Sequence, residues 1–328
     1  MIPAGRFRRL RIRILLLLLT FLSLSCGSTD FAGGGTGGTG ISTGAVSGYG
    51  SVVVNNVHFR TDDEVAPWFR TKKMSNGADK SGRMDKVVFA VGMVVTVRHG
   101  KGDNNAQVIE YRDNLRGPIA AMASGADNII EILGQTVVVD DAEPFPPLNQ
   151  GDIVEVSGFA DNAGRIRAAY ILPMAPPMPP SLQEFDVKGF VSESSSTGFR
   201  LGPLPDGSGI TVMVSCPPGG PANGTYVEVV TTDRAAVGGV ITATRVVKLT
   251  ARTEFPDGTP VDLEGLVTTL PSGSGKVLSF AVEGKRIRTD DATDFTGRSP
   301  AEIQPNTRLL VQGTETGGDL SASRIIFR

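Results

Sequence analysis

Ile129-Ile-Glu-Ile-Leu133-Gly-Gln-Thr-Val-Val-Val-Asp140, followed by Gly151-Asp-Ile-Val-Glu-Val-Ser-Gly158 and Ile166-Arg-Ala-Ala-Tyr-Ile-Leu172, reads as four short strands and the turns between them. The first run turns at Gly134-Gln135 and resumes as Thr136-Val-Val-Val. Short runs rich in β-branched residues, bounded by Gly, Asn, Asp and Pro, are strands rather than helices. A Gly-containing strand, Arg116-Gly-Pro-Ile-Ala-Ala, precedes them, so residues 113–172 hold five strands with a Pro-rich connection after the third.

The same order returns three times, which makes the chain a repeat protein. Residues 41–112 run from Gly44-Ala-Val-Ser-Gly48 through an Asn55-Asn56 turn to Gly92-Met-Val-Val-Thr-Val97 and 106–111. Residues 185–250 contain Val187-Lys-Gly-Phe-Val191, Phe199-Arg-Leu201, 210–214, Gly224-Thr-Tyr-Val-Glu-Val-Val230 and Ile241-Thr-Ala-Thr-Arg-Val-Val247. Residues 251–328 contain Leu263-Glu-Gly-Leu-Val267, a Glu283-Gly284 turn, Thr307-Arg-Leu-Leu-Val-Gln-Gly313 and 320–327. Each unit is small for an independent core, and closing its sheet removes the exposed edges. Ser299-Pro300-Ala-Glu302 starts a helical turn after a third strand, with serine as cap and proline in the first turn. The expected fold is all-β, with four tandem five-stranded OB-like barrels. A Pro-rich linker, 173–184, should act as a semi-rigid spacer between the second and third copies, giving two pairs of barrels.

The N-terminus carries an address. A basic stretch, 6–13, leads into an apolar run, 14–22, which is too short to span a bilayer comfortably. Residues 1–25 thus have the layout of a secretory signal. Leu22-Ser-Leu-Ser-Cys26 resembles the box of bacterial lipoprotein signals, which makes Cys26 a lipidation site and the new N-terminus. This reading is preferred to a plain secretory signal cut near Ser25. The Gly/Ser/Thr-rich residues 26–40 then form a flexible tether. Gly27 rather than Asp after the cysteine implies, by the same resemblance, an outer-membrane destination. The expected location is the cell envelope, with the membrane as a partner through the lipid.

Loss of residues 1–25 removes five arginines and leaves 27 basic against 34 acidic residues, a formal charge of −7. That disfavours nucleic acid as a partner. Two cysteines make no disulfide framework, and acylation of Cys26 would leave Cys216 as a half-buried thiol at a strand end.

Chemistry is sparse. Acidic pairs follow the third strand at Asp62-Asp63, Asp140-Asp141 and Asp290-Asp291, and are read as turn caps in preference to a calcium loop. His58 and His99 are too scattered for a zinc set. Neither a nucleophile elbow, a serine on a sharp strand-to-helix turn, nor a phosphate loop is read in the chain, so neither an enzyme nor a cofactor is expected. An insertion at 64–86 in the first copy brings Trp68 and Phe69 beside Arg70, Lys72 and Lys73. These five are the candidate ligand-binding residues, for a sugar ring or a lipid headgroup. The preferred reading has Trp68 plugging the mouth of its barrel and the basic tract as a mobile loop.

The stretch 37–57, together with Val91-Gly-Met-Val-Val-Thr-Val97, Leu133-Gly-Gln-Thr-Val-Val-Val-Asp140 and 151–159, resembles bacterial lipoproteins built from domain-of-unknown-function 5666 repeats. The likeness is clearest before residue 190 and weakest in the third copy, where Ser215-Cys-Pro-Pro stands in place of acids. It implies fold and location but no chemistry. The expected role is a non-catalytic module binding an envelope polysaccharide, peptide or protein, with a structural spacer as the alternative.

Overall fold

The tight turns marked in the sequence take left-handed backbone at two successive residues, the one expected at Gly134-Gln135 standing one residue earlier, since Gln135 already opens the next strand. The pairs are Asn55 and Asn56 (φ 56° and 63°), Leu133 and Gly134 (49° and 75°), and Glu283 and Gly284 (52° and 72°). Two positive φ values in a row match the right-handed twist of flanking strands, which is why such pairs close hairpins. The computed structural model describes residues 40–48, 52–60, 68–71, 80–83, 89–100, 104–123, 128–139, 145–174, 183–207, 212–216 and 219–328.

Strands β1 (Gly40–Gly48), β2 (Val52–Val54) and β3 (Val57–Phe59) come first, with β2 and β3 joined at the Asn55-Asn56 turn. They are followed by β4 (Trp68–Thr71), β5 (Lys80–Arg83), β6 (Val94–His99) and β7 (Ala106–Tyr111). β1 pairs antiparallel with both β2 and β6, and β6 pairs with β7. β7 then runs parallel to Arg60, through a bridge at Asn105, and to β4. The segment expected to be a loop therefore enters the sheet: β4 and β5 form a hairpin on the edge of β7. Four backbone pairings along β7 give β4 a place that its sequence, interrupted by Arg70, did not announce.

Residues 115–173 form a closed five-stranded barrel. β8 (Leu115–Ala123), β9 (Asn128–Ile132), β10 (Gln135–Val139), β11 (Ile153–Ala160) and β12 (Ile166–Pro173) pair in the order β8-β9-β10-β12-β11. β11 returns to β8, and the β10–β12 pair alone is parallel. Closure leaves no ladder unpaired inside the ring.

Residues 185–248 follow the same order. β13 (Phe185–Ser192), β14 (Gly198–Gly202) and β15 (Val212–Ser215) are sequential neighbours, and β16 (Tyr226–Thr231) pairs back with β13. The last strand is split, β17 (Val240–Thr242) lying parallel to β15 and β18 (Arg245–Lys248) antiparallel to β16. In the final segment β19 (Pro260–Leu266), β20 (Ser272–Ser274), β21 (Val277–Val282) and β22 (Lys285–Arg288) precede β23 (Arg308–Thr316) and β24 (Asp319–Phe327). The order β21-β22-β24-β23-β19 repeats, with β22–β24 parallel and a bridge from Val267 to Val282. A 3-10 turn, Pro300–Glu302, sits after β22, and Ser299 and Glu302 form the capping box that the sequence suggested.

The pairing between segments corrects the expected arrangement. β8 pairs antiparallel with β13, joining the two segments that the Pro-rich linker was expected to hold apart. β1 pairs parallel with β19, joining the first segment to the last. An extended linker of this length supplies reach as readily as separation, and most of it lies outside the described residues. One apolar core accordingly runs from Leu115 and Ile132 through Val187 and Phe199 to Ile241. Ile41 of β1 packs into the core of the last segment. A small cluster of Ala45, Val94, Phe159 and Leu266 closes the meeting point of three segments.

Gly92 lies against that meeting point, where Ala169 also packs. It has φ 91°, its N–H donates to Val46 O at 2.8 Å, and a Cβ would stand 1.9 Å from Ala169 O. Gly92→Ala should therefore cost at least about 1–3 kcal/mol in backbone strain alone. In a thermal melt this should lower the midpoint by several degrees, and an unchanged midpoint would mean the contact with Ala169 is not made.

Candidate functional site

The outer faces of the first strands carry charge, and pairing those strands buries it. Lys188, on β13, is almost fully covered and faces three carboxylates. Its Nζ donates to Asp113 Oδ1 at 2.9 Å and to Asp186, with Glu228 Oε1 at 3.6 Å. Asp113 lies in the 112–114 connection, whose Asn114 accepts through Oδ1 from the Gly158 N–H at 2.8 Å. Tyr111 OH donates to Glu155 Oε1 at 2.7 Å on the far side of the cluster. Burial, reinforced by Asp113, pushes the Glu155 carboxyl up to about 7. Burial and Glu155 push the Tyr111 phenol up. Burial opposes the charge on Lys188 too, yet Asp113 and Asp186 outweigh it and hold the ammonium well above its ordinary value. Asp113 of the 112–114 connection and Asp186 and Glu228 of the following segment all meet this one ammonium, so the cluster binds segments together.

A second buried acid works the same way. Glu283, at the tight turn before β22, accepts from the Ala160 N–H at 3.2 Å and from the Leu266 N–H at 3.4 Å. Gly284 beside it abuts Pro205. Burial pushes the Glu283 carboxyl up to about 7, against the pull of Arg252, the two N–H groups and Arg308.

A cleft of about 280 Å³ lies between the outward face of β6–β7 and the 249–259 connection. Alternation puts Val95 and Val97 into the core of the first segment and turns Thr96 and Arg98 outward. Val108 and Glu110 of β7 and Ile41 of β1 complete one wall; Thr250, Ala251, Arg252, Glu254 and Phe255 form the other. Arg112 is engaged by Glu110 and donates to Thr250 O at 2.7 Å. Arg252 donates through Nη2 to Gly158 O at 3.1 Å, while its Nη1 is buried without a hydrogen-bond partner. Arg98 makes no hydrogen bond or ion pair among the described residues.

Of the five ligand-binding candidates read from sequence, Trp68, Phe69 and Arg70 lie in β4; Lys72 and Lys73, like the lipidation candidate Cys26, lie outside the described residues. Across the β4–β7 pair Trp68 stands opposite Val108 and Arg70 opposite Glu110, both of them cleft residues. The structure so brings part of the candidate set to the strand beside the cleft. Sequence reasoning missed Arg98, Arg252, Lys188 and Glu283. A signal existed for one of them: a charged residue precedes the strand glycine at Arg116, Lys188 and Glu264.

Among the acidic pairs, Asp290 Oδ1 accepts from the Ala292 N–H at 2.9 Å and from the Thr293 hydroxyl at 3.2 Å, which is the turn-capping role expected of it. Asp62-Asp63 and Asp140-Asp141 lie outside the described residues. Cys216 is a free, half-buried thiol beside the core, its Sγ 3.6 Å from Gly219 O. No helix among the described residues is long and apolar enough to cross a membrane.

These features define an all-β protein with a closed five-stranded barrel, buried ionic joints and an arginine-bearing cleft. Residues 116–171 and 264–326 each match the family model of a domain of unknown function, DUF5666, so this domain is repeated in tandem along the chain. No curated protein matches the chain.

Two outcomes follow from the buried acids. Lys188→Met would strand Asp113, Asp186 and Glu228 together. It should cost about 3–5 kcal/mol at neutral pH, seen as a lower urea midpoint at unchanged slope, with the deficit shrinking in acid. Glu283 and Glu155 hold protons more tightly folded than unfolded. Their contribution is complete below about pH 4.5 and is lost as pH rises through about 7. Stability should fall between pH 5 and pH 7.5, and Glu283→Gln should flatten that fall; an identical profile in the variant would rule Glu283 out as a cause.

Proposed function

We propose that this chain is a non-catalytic binding module of the bacterial cell envelope, held to the membrane by a lipid on Cys26. In this reading it is built from four copies of one OB-type unit. The two matched segments support the repeat, and residues 40–111 and 185–248 follow the same cyclic strand order as those segments. The lipoprotein part rests on the basic and apolar signal, the Leu22-Ser-Leu-Ser-Cys26 box and the Gly-rich tether.

The observation that carries the binding role is the cleft on β6–β7. It is concave, lined by both apolar and polar side chains, and flanked by the strand that holds Trp68 and Arg70. Binding sites on small barrels are of this kind: an exposed sheet face and adjoining connections. The non-catalytic part is supported by the setting of Ser42 in Gly40-Ile-Ser-Thr-Gly44: it lies within β1, is buried, and donates to Asp262 Oδ2 at 3.2 Å, instead of standing exposed on a strand-to-helix turn. The ligand class is an envelope polysaccharide, peptide or protein. A spacer role fits less well, because β1 pairs with β19 and the chain doubles back rather than extending.

The anchor predicts globomycin-sensitive acyl labelling of the full chain that vanishes in Cys26→Ala. Labelling that persists in the variant would reduce the protein to a secreted one. For the binding role, crosslinking in the intact envelope should place a polymer or protein partner on β4, β6 or β7. Crosslinks confined to other faces would refute that location.

A further inference from the structure

Arg98 and Arg252 set the chemistry of the cleft. Three guanidinium groups line it, and Arg112 is already spent on Glu110 and the Thr250 carbonyl. Arg252 is anchored by one nitrogen to Gly158 O and keeps Nη1 buried and without a hydrogen-bond partner. Arg98 has no partner among the described residues, although a half-buried guanidinium is costly to leave without an acceptor. Glu254, the remaining acid, sits on the exposed rim. With Arg112 and Glu110 neutralising each other, Arg98 is the cation of the cleft without a facing acid among the described residues, while Arg252 is shared with the buried Glu283 behind it.

We infer that this cleft binds a carboxylate carried on a single sugar ring, a hexuronate unit, with Arg98 and Arg252 as its cationic contacts. The inference rests on the binding role proposed above and names the ligand class. A planar guanidinium matches a carboxylate in two parallel hydrogen bonds, which an ammonium cannot do. The remaining lining suits a pyranose: Val108 and Ala251 offer an apolar surface to its C–H face, and the exposed Thr250 offers a hydroxyl to its rim. A cleft of about 280 Å³ falls at the small end of ligand sites, enough for one ring with its flanking bonds open to solvent.

An acidic peptide suits the same surface poorly. Peptides docking on sheets add a strand to an open edge, whereas β6 is paired on one side with β1 and on the other with β7, and β7 with β6 and β4. The cleft lies on a sheet face with its backbone groups already used. Long-range attraction plays no part, because the chain without its signal is itself acidic. Recognition is by contact.

The test is titration of the full chain in detergent with galacturonic acid, tri-galacturonate, neutral galactotriose and hexaglutamate, followed by calorimetry. Tri-galacturonate should bind more tightly than galactotriose. Arg98→Ala should weaken it by about 10- to 100-fold, the size expected for hydrogen bonds to a charged group. Arg98→Lys, which keeps the charge, should recover part of the loss and shows that the fold is intact. The monomer acid binding as well as the trimer identifies a free acid as the source, and preference for the trimer identifies a polymer; both support the site. Equal affinity for acid and neutral trimers, insensitivity to Arg98→Ala, or equal binding of hexaglutamate would each overturn the inference. Crosslinks to a neutral polymer on β6–β7 would still uphold the binding role, so the two ideas fail separately.

Discussion

The first strand of each segment must serve two sheets at once. A ring of five short strands closes well where the strands overlap, but β1 and β8 are nine residues long and outrun their neighbours. Their protruding backbone needs partners, since unpaired edges recruit whatever strand is near. β1 takes β19 and β8 takes β13. Both joins use the same element, so segment order in space follows edge satisfaction rather than order along the chain. The shared core of residues 115–241 and the seat of Ile41 in the last segment are consequences of these two pairings.

Joining first strands covers the faces that carry their charged residues. Lys188 precedes the strand glycine and would be solvated in an isolated unit; in the assembled chain it is buried with Asp113, Asp186 and Glu228. Desolvating four ions is expensive, and the geometry returns that cost only because the hydrogen bonds are direct. Two acids take the other route, with Glu155 and Glu283 raised toward neutrality by burial. The joints are thus polar where the barrels are apolar. Apolar patches would tolerate slippage, whereas a lysine facing three acids has one register in which it is satisfied.

Local features were legible in the sequence and long-range ones were not. Asn55-Asn56, Glu283-Gly284 and Ser299-Pro300 announce their turns because the chemistry of a turn is written in adjacent residues. Period and repetition gave the five-strand unit. The partner of β1 could not be read, because parallel pairing with β19 leaves no trace in either stretch beyond being a strand. The insertion misled for a related reason: Trp68-Phe69-Arg70-Thr71 has a cationic residue and little alternation, and only the free side of β7 makes a strand of it. The arginine cleft was least visible. Arg98 is an ordinary outward residue of an alternating strand until the 249–259 connection crosses above it.

That crossing links architecture to function. The connection leaves β18 on one joined pair of segments and must reach β19 on the other, because β19 is held by β1. Its path therefore passes over the outer face of β6–β7. Arg112 fastens it by donating to Thr250 O, and Arg252 ties it to Gly158 on the barrel of residues 115–173. Phe255 then turns inward with Ile41 and ends the overpass. A sheet face that would be flat and fully solvated in a separate unit becomes a walled cleft, with guanidinium groups arriving from both sides. The cleft exists because the first and last segments share an edge, so a ligand there would feel the assembly of the whole chain rather than the chemistry of one repeat.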